Sequence, residues 1–208
     1  MDNLFGYDSK FFEILGKVTD IVILNFLFMI SCIPIVTIGA SLSAMYSVSM
    51  RMANDDEPYV VREFIKRFKE NFKVSTIVWI LLVIVGSVLA VDMYFSNIIS
   101  NEVISNIFRF VFTMIGIVFV FVLSYVFPII SKFDNTIKNT LKNSILISIQ
   151  NLPYTLLIVM VNLSPLIIIC LFKSFWGYAV FYYTVIGFGI ISYINSILLN
   201  KILNKYVN

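Results

Sequence analysis

The stretch that decides the fold is VSTIVWILLVIVGSVLAV, residues 74–91, in which no side chain carries a charge. An α-helix rises about 1.5 Å per residue, so this run covers most of the ~30 Å hydrocarbon core of a bilayer. Uncharged runs of similar or greater length occupy 110–127, 153–172 and 175–199. These four stretches predict membrane-spanning helices.

The composition of the whole chain supports the same interpretation. Of its 208 residues, 60% are apolar and 13% are charged, whereas soluble domains average about 25% charged residues. A soluble domain of this size could not cover so much apolar surface with polar groups. We therefore expect an all-α, polytopic helical membrane protein.

The first fifty residues allow two interpretations. Residues 21–38 are uncharged but contain Pro34, and 37–50 are uncharged but rich in serine and alanine. Proline removes a helical hydrogen bond and disfavours helix at the residue before it. The region is either one long kinked span or a hairpin of two spans that turns near 34–39. A cleaved signal peptide is a third interpretation, although the apolar run is longer than a typical signal core.

Lysine and arginine are concentrated in 51–73, in 131–151 and in the C-terminal tail, and they are missing from 96–106. Cytoplasmic loops carry the excess of these residues. Lys10 and Lys17 place the N-terminus inside as well, which requires two crossings before Arg51. The sequence thus predicts six spans with both termini in the cytoplasm, at about 18–33, 35–50, 74–95, 107–127, 153–172 and 175–199. Five spans with the N-terminus outside is the alternative.

Two polar segments have the spacing of amphipathic helices. In 59–73, apolar and basic side chains recur as neighbouring stripes; the apolar stripe is Val61, Ile65, Phe68 and Phe72, and the basic stripe is Arg62, Lys66, Lys69 and Lys73. Residues 134–150 repeat the pattern more weakly, with Ile137, Leu141, Ile145 and Ile149 on one side and Lys138 and Lys142 elsewhere. Each predicts a cytoplasmic helix lying in the headgroup layer, and each is also a candidate docking surface for a cytoplasmic partner.

Polar side chains within the spans are few. Asn162 and Pro165 interrupt the fifth predicted span. An asparagine in lipid needs a hydrogen-bonding partner from another helix. We therefore expect Asn162 to face the interior of a packed bundle.

Catalytic chemistry has little to build on in this chain. It has no histidine and only two cysteines, Cys32 and Cys170, each within an apolar run. Histidine is the commonest general base and metal ligand, and no phosphate-binding loop of the GxxxxGK[ST] type occurs. The sequence predicts no enzyme, no catalytic residues, no metal, no cofactor and no nucleic-acid partner, since lipid is a sufficient partner for the basic segment.

Three blocks of sequence resemble the YesL family, also known as DUF624. The first block is IPIVTIGA at 33–40 with AMY at 44–46 and Asn25 before it. The second is FIKRFKENFK at 64–73. The third comprises YVFP at 125–128, KF at 132–133, LKNS at 141–144 and NLP at 151–153. The chain departs from the pattern at Ser41 and Ser43, where small apolar residues are more usual.

The resemblance implies a small protein of the bacterial cell membrane, encoded among carbohydrate-utilisation functions, with no agreed biochemical activity. We expect an accessory subunit of a carbohydrate ABC importer that contacts permease or ATPase subunits. The alternatives are a self-contained transporter or channel for a small solute or sugar, and a membrane regulator or adaptor of sugar utilisation. The candidate signature or partner-contact residues are Pro34, Thr37, Gly39, Arg62, Phe64, Lys66, Phe68, Lys69, Phe72, Lys138 and Lys142.

Overall fold

The computed structural model describes residues 10–56, 58–96, 98, 101–171 and 176–206, and within these ranges it contains helices and no strand. The helices are α1 (Lys10–Ser31), α2 (Ile38–Met52), α3 (Val60–Ser96), α4 (Glu102–Lys132), α5 (Ile137–Gln150), α6 (Leu152–Leu171), α7 (Trp176–Tyr182) and α8 (Phe188–Leu203). The predicted all-α class is confirmed.

Four helical segments are long and apolar enough to cross a membrane: Phe11–Ser31, Val60–Ser96, Glu102–Lys132 and Trp176–Tyr206. A fifth is added if α5 and α6, which meet at a bend of 107°, count as one broken span. The predicted number of six is not confirmed, because α2 has only 15 residues and covers about 22 Å. The chain is thus a polytopic helical membrane protein with four or five helices able to span.

Helix α2 lies inside the bundle, where it packs against α3, α4 and α8. Twelve of its residues are buried, and most of these are glycine, alanine, serine or methionine. The polarity of Ser41 and Ser43 is satisfied within the protein. Ser41 Oγ donates to Thr37 O at 2.9 Å, and Ser43 Oγ accepts from Ser75 Oγ at 3.0 Å. Small side chains let helices approach closely, which explains serine in a central helix.

Pro34 turns the chain between α1 and α2. The Thr37 hydroxyl lies 2.6 Å from both Ser31 O and Pro34 O, and a short 3₁₀ turn covers Ile35–Thr37. At the other end of the pair, Lys17 Nζ forms an ion pair with Asp55 at 2.8 Å. The two helices therefore run antiparallel, as the hairpin interpretation predicts.

This hairpin, α1 and α2 with the turn between them, reaches only about halfway along α3. Trp79 Nε1 donates to Ile35 O at 2.9 Å, and α3 continues to Ser96. The seventeen residues beyond Trp79 extend about 25 Å further. Ile33 and Ile35 are 76% and 71% exposed at the tip of the hairpin.

Asn25 joins the hairpin to the last helical segment. Between α7 and α8, residues Tyr183–Gly187 form a π-helical turn, which leaves some backbone groups without their usual partners. The fully buried Asn25 side chain donates to Thr184 O at 2.6 Å and accepts from the Gly189 amide at 3.0 Å. One amide side chain thus supplies both a donor and an acceptor to this irregular backbone.

Candidate functional site

The predicted contact residues fall into two separate places in the structure. Those between 62 and 72, with Lys138 and Lys142, lie where α2, α4 and α8 end and where α3 and α5 begin; we call this the basic end. Pro34, Thr37 and Gly39 lie at the hairpin tip, which is the opposite end of α2. The structure therefore does not assemble the eleven residues into one site.

Helix α3 determines how the basic end is presented. It is a single helix of 37 residues, about 55 Å long, and the first glycine or proline after Pro58 is Gly86. The separate surface helix predicted over 59–73 is not found, because nothing breaks the chain between Lys73 and Val74. If 74–91 crosses the bilayer, the first fourteen residues of α3 must continue outward from it.

The outward part of α3 has one buried and one exposed side. Phe64 is only 3% exposed and packs among residues of α1 and α2, so it belongs to the core and is not available for contact. Phe68 is half-buried, and its ring lies between those of Phe64 and Phe72 at 6.3 and 5.6 Å. The exposed side, which we call the projecting surface, consists of Val61, Arg62, Ile65, Lys66, Lys69 and Phe72.

The second polar segment forms a helix, α5, as predicted. The side of α5 that packs against the protein is not the predicted apolar stripe. Its buried residues are Thr140, Ser144, Ile147 and Ser148. Ile145 and Ile149 of the predicted apolar stripe are 37% and 50% exposed, and Lys138 and Lys142 are also exposed. The small hydroxyl side chains permit close packing on α4, and the larger isoleucines are left at the surface.

A buried network of neutral polar groups crosses the interior of the bundle. Asn195 Nδ2 donates to Asn162 Oδ1 at 2.7 Å, and Asn162 Nδ2 donates to Ser124 Oγ at 3.2 Å. Tyr46 OH lies 3.4 Å from Asn195 Nδ2. The expectation that Asn162 has partners on other helices is confirmed. These groups join four helices by hydrogen bonds.

Sequence reasoning missed the α8 part of this network. Ser192, Ser196 and Asn200 recur every four residues at the end of the last uncharged run and just beyond it, and Asn195 lies beside them. Such spacing places them on one side of a helix. Ser192 Oγ donates to Ser49 Oγ at 2.7 Å and Asn200 Nδ2 donates to Met50 O at 2.8 Å. This polar stripe, visible in the sequence, fixes α8 to α2.

In the described part of the chain, no group of three or more histidine, cysteine or carboxylate side chains is placed to hold a metal ion.

Residues 21–93 match the model of a family described as "Protein of unknown function, DUF624". The match covers most of the hairpin and nearly all of α3, and it confirms the resemblance found in the first two sequence blocks. The third block, beyond residue 93, lies outside the matched range. Neither the curated proteins nor the solved structures contain a match to the chain.

Proposed function

Because residues 21–93 match the DUF624 family, whose description assigns no activity, we propose a function from the geometry of the basic end. The protein is a non-enzymatic membrane subunit that docks a protein partner on the projecting surface. From the sequence resemblance, we propose that the partner is the permease or the ATPase of a carbohydrate ABC importer.

The observation that supports docking is the unbroken length of α3. Its first fourteen residues extend about 21 Å beyond the uncharged run along the helix axis, and at the average tilt of about 20° this still leaves about 20 Å. The headgroup layer on each side of a bilayer is only about 5–8 Å deep. Val61 and Ile65, 48% and 44% exposed, therefore lie past the headgroups, where a protein and not lipid can cover them.

The same geometry leads us to propose a topology. The basic end faces the cytoplasm of a bacterial cell, in keeping with its lysines and arginines, and α3, α4, α6 and the α7–α8 segment cross the plasma membrane. The hairpin enters from the cytoplasmic side and returns to it. Its uncharged part in α1, residues 21–31, covers only about 17 Å, and its tip lies beside Trp79. Both termini remain cytoplasmic.

The hairpin tip is expected to be inaccessible from outside the cell. Cys32 and Cys170 are first replaced by serine, and a single cysteine is then placed at Ile35 or at Ile98, the exposed residue between α3 and α4. A membrane-impermeant maleimide added to intact cells should label Ile98→Cys and leave Ile35→Cys unlabelled. Equal labelling at both positions would show that the hairpin crosses the membrane.

Polar substitution of the projecting surface is expected to release the partner. A tagged wild-type chain, purified in mild detergent from cells grown on sugar, should bring down importer permease or ATPase subunits. The double substitution Val61→Ser with Ile65→Ser should lower their recovery about tenfold or more, because each apolar side chain contributes about 1.5 kcal/mol or more when buried.

The matched control is Ile80→Ser with Ile84→Ser. These two residues lie on the same helix and are similarly exposed, at 44% and 55%, but they fall within the uncharged run. Recovery of the partner should be unchanged. The proposal fails if the wild-type chain is reproducibly purified alone, or if both double variants lose the partner to the same extent.

A further inference from the structure

A cleft of about 220 Å³ opens at the basic end between α2, α3, α4 and α8. Arg51, Arg67 and Lys132 bring three positive charges to its wall, beside Asn54, Ser131 and Asn200. None of its lining residues is acidic. On α3, Arg67 faces away from the projecting surface, so the cleft is separate from the proposed docking site.

Glu63 holds the two arginines in place. Its Oε1 atom lies 3.1 Å from Arg51 Nη1 and 2.9 Å from Arg67 Nε, and its side chain is only 12% exposed. Burial alone would raise the pKa of the Glu63 carboxyl, but hydrogen bonds from Arg67 and Arg51 lower it below its ordinary value. Glu63 is therefore ionised and does not itself line the cleft.

The arginines keep donors that these ion pairs do not use. Arg51 also pairs with Asp56 at 3.0 Å, and Arg67 with Glu70 at 3.3 Å. Each guanidinium has five N–H groups in a fork that matches phosphate or carboxylate oxygens. Two of the five are used by carboxylates in each case, so three remain on each arginine.

Lys132 and Asn200 complete the cleft. The Lys132 ammonium donates to Asn204 Oδ1, and within the described residues no carboxylate forms an ion pair with it. Asn200 is 5% exposed, and its Nδ2 atom donates to Met50 O and Asn54 Oδ1. A carbonyl can only accept, so this fixes the orientation of the amide and leaves Asn200 Oδ1 buried without a donor.

We propose that the cleft binds a phosphate ester that carries a hydroxyl group. The phosphate lies among Arg51, Arg67 and Lys132, and the hydroxyl donates to Asn200 Oδ1, which satisfies the one buried acceptor there. The volume equals that of about seven waters, enough for a group the size of glycerol phosphate. Such a group comes from either an anionic lipid headgroup or a soluble phosphate ester.

The test uses the full chain purified in a neutral maltoside detergent. Its thermal unfolding midpoint is recorded with increasing glycerol 3-phosphate, or with short-chain phosphatidylglycerol, against sodium chloride at equal ionic strength. At least one phosphate probe should raise the midpoint to saturation. Stabilisation by phosphatidylglycerol alone identifies a lipid headgroup as the ligand, and stabilisation by glycerol 3-phosphate identifies a soluble ester.

Lys132→Gln should weaken binding and raise the half-saturating concentration of the phosphate probe about tenfold or more, since a hydrogen bond to a charged group is lost. The matched control is Lys142→Gln, which removes the same charge from an exposed site outside the cleft and should change it less than about twofold. If Lys132→Gln does not fold, Arg67→Lys offers the same comparison, because it keeps the charge but loses the fork. The proposal is overturned if neither probe stabilises more than chloride does, or if Lys142→Gln weakens binding as much. No partner protein is present, so the result is independent of the docking experiment.

Discussion

Gly39→Ala is expected to destabilise the protein by about 3 kcal/mol, the upper end of the typical 1–3 kcal/mol cost of overpacking a filled contact. A Cβ atom at Gly39 would overlap Ser75 O and would lie 2.7 Å from Trp79 Cβ. Both neighbours belong to the rigid part of α3, and neither can rotate away. Relief requires α2 to move off α3, which would also disturb the Trp79–Ile35 hydrogen bond that holds the hairpin tip.

The measurement is the thermal unfolding midpoint of the purified chain in detergent. Gly116→Ala in α4 is the matched control, because nothing lies within 4 Å of a Cβ placed there. Alanine should be neutral or should stabilise that helix by up to about 1 kcal/mol. A Gly39→Ala protein that is as stable as Gly116→Ala would mean that α2 and α3 are not in such close contact.

Asn25→Leu is expected to cost about 3 kcal/mol or more. Leucine has a similar size but leaves Thr184 O and the Gly189 amide unpaired in the interior, and each buried group without a partner costs about 1–3 kcal/mol. We expect the α7–α8 segment to separate from the hairpin before the rest of the bundle unfolds.

The exposed Asn139 of α5 offers a control, since Asn139→Leu makes the same chemical change at the surface and should alter the midpoint little. Protease protection of the α7–α8 segment should fall in Asn25→Leu alone. Equal midpoints for the two variants would contradict the role given to Asn25.

Long runs without charged residues correctly predict where the long apolar helices lie. The uncharged run at 74–91 lies within α3, and the turn at Pro34 is where the structure has it, because proline acts through its own backbone. The direction of 59–73 could not be predicted in this way. Apolar and basic stripes show which side of a helix faces water. They do not show whether the helix axis lies parallel to the membrane surface or extends away from it.

The other features that the sequence did not predict depend on tertiary packing. Phe64 is buried because α1 and α2 pack over it, which its local sequence does not reveal. Ser41 and Ser43 depart from the family pattern, and the bundle places them against neighbouring backbone and hydroxyl groups. The π-helical turn at Tyr183–Gly187 is hydrogen-bonded by Asn25, more than 150 residues away in the sequence.

The proposal that the projecting surface docks a partner is tested most directly by cross-linking in living cells. A photoreactive phenylalanine analogue replaces Ile65 in one strain and Ile84, within the uncharged run, in another. After illumination, Ile65 should give one discrete adduct that mass spectrometry identifies as an importer permease or ATPase subunit, and Ile84 should give no such adduct. Attachment of only lipid at Ile65, or the same adducts at both positions, would contradict the account.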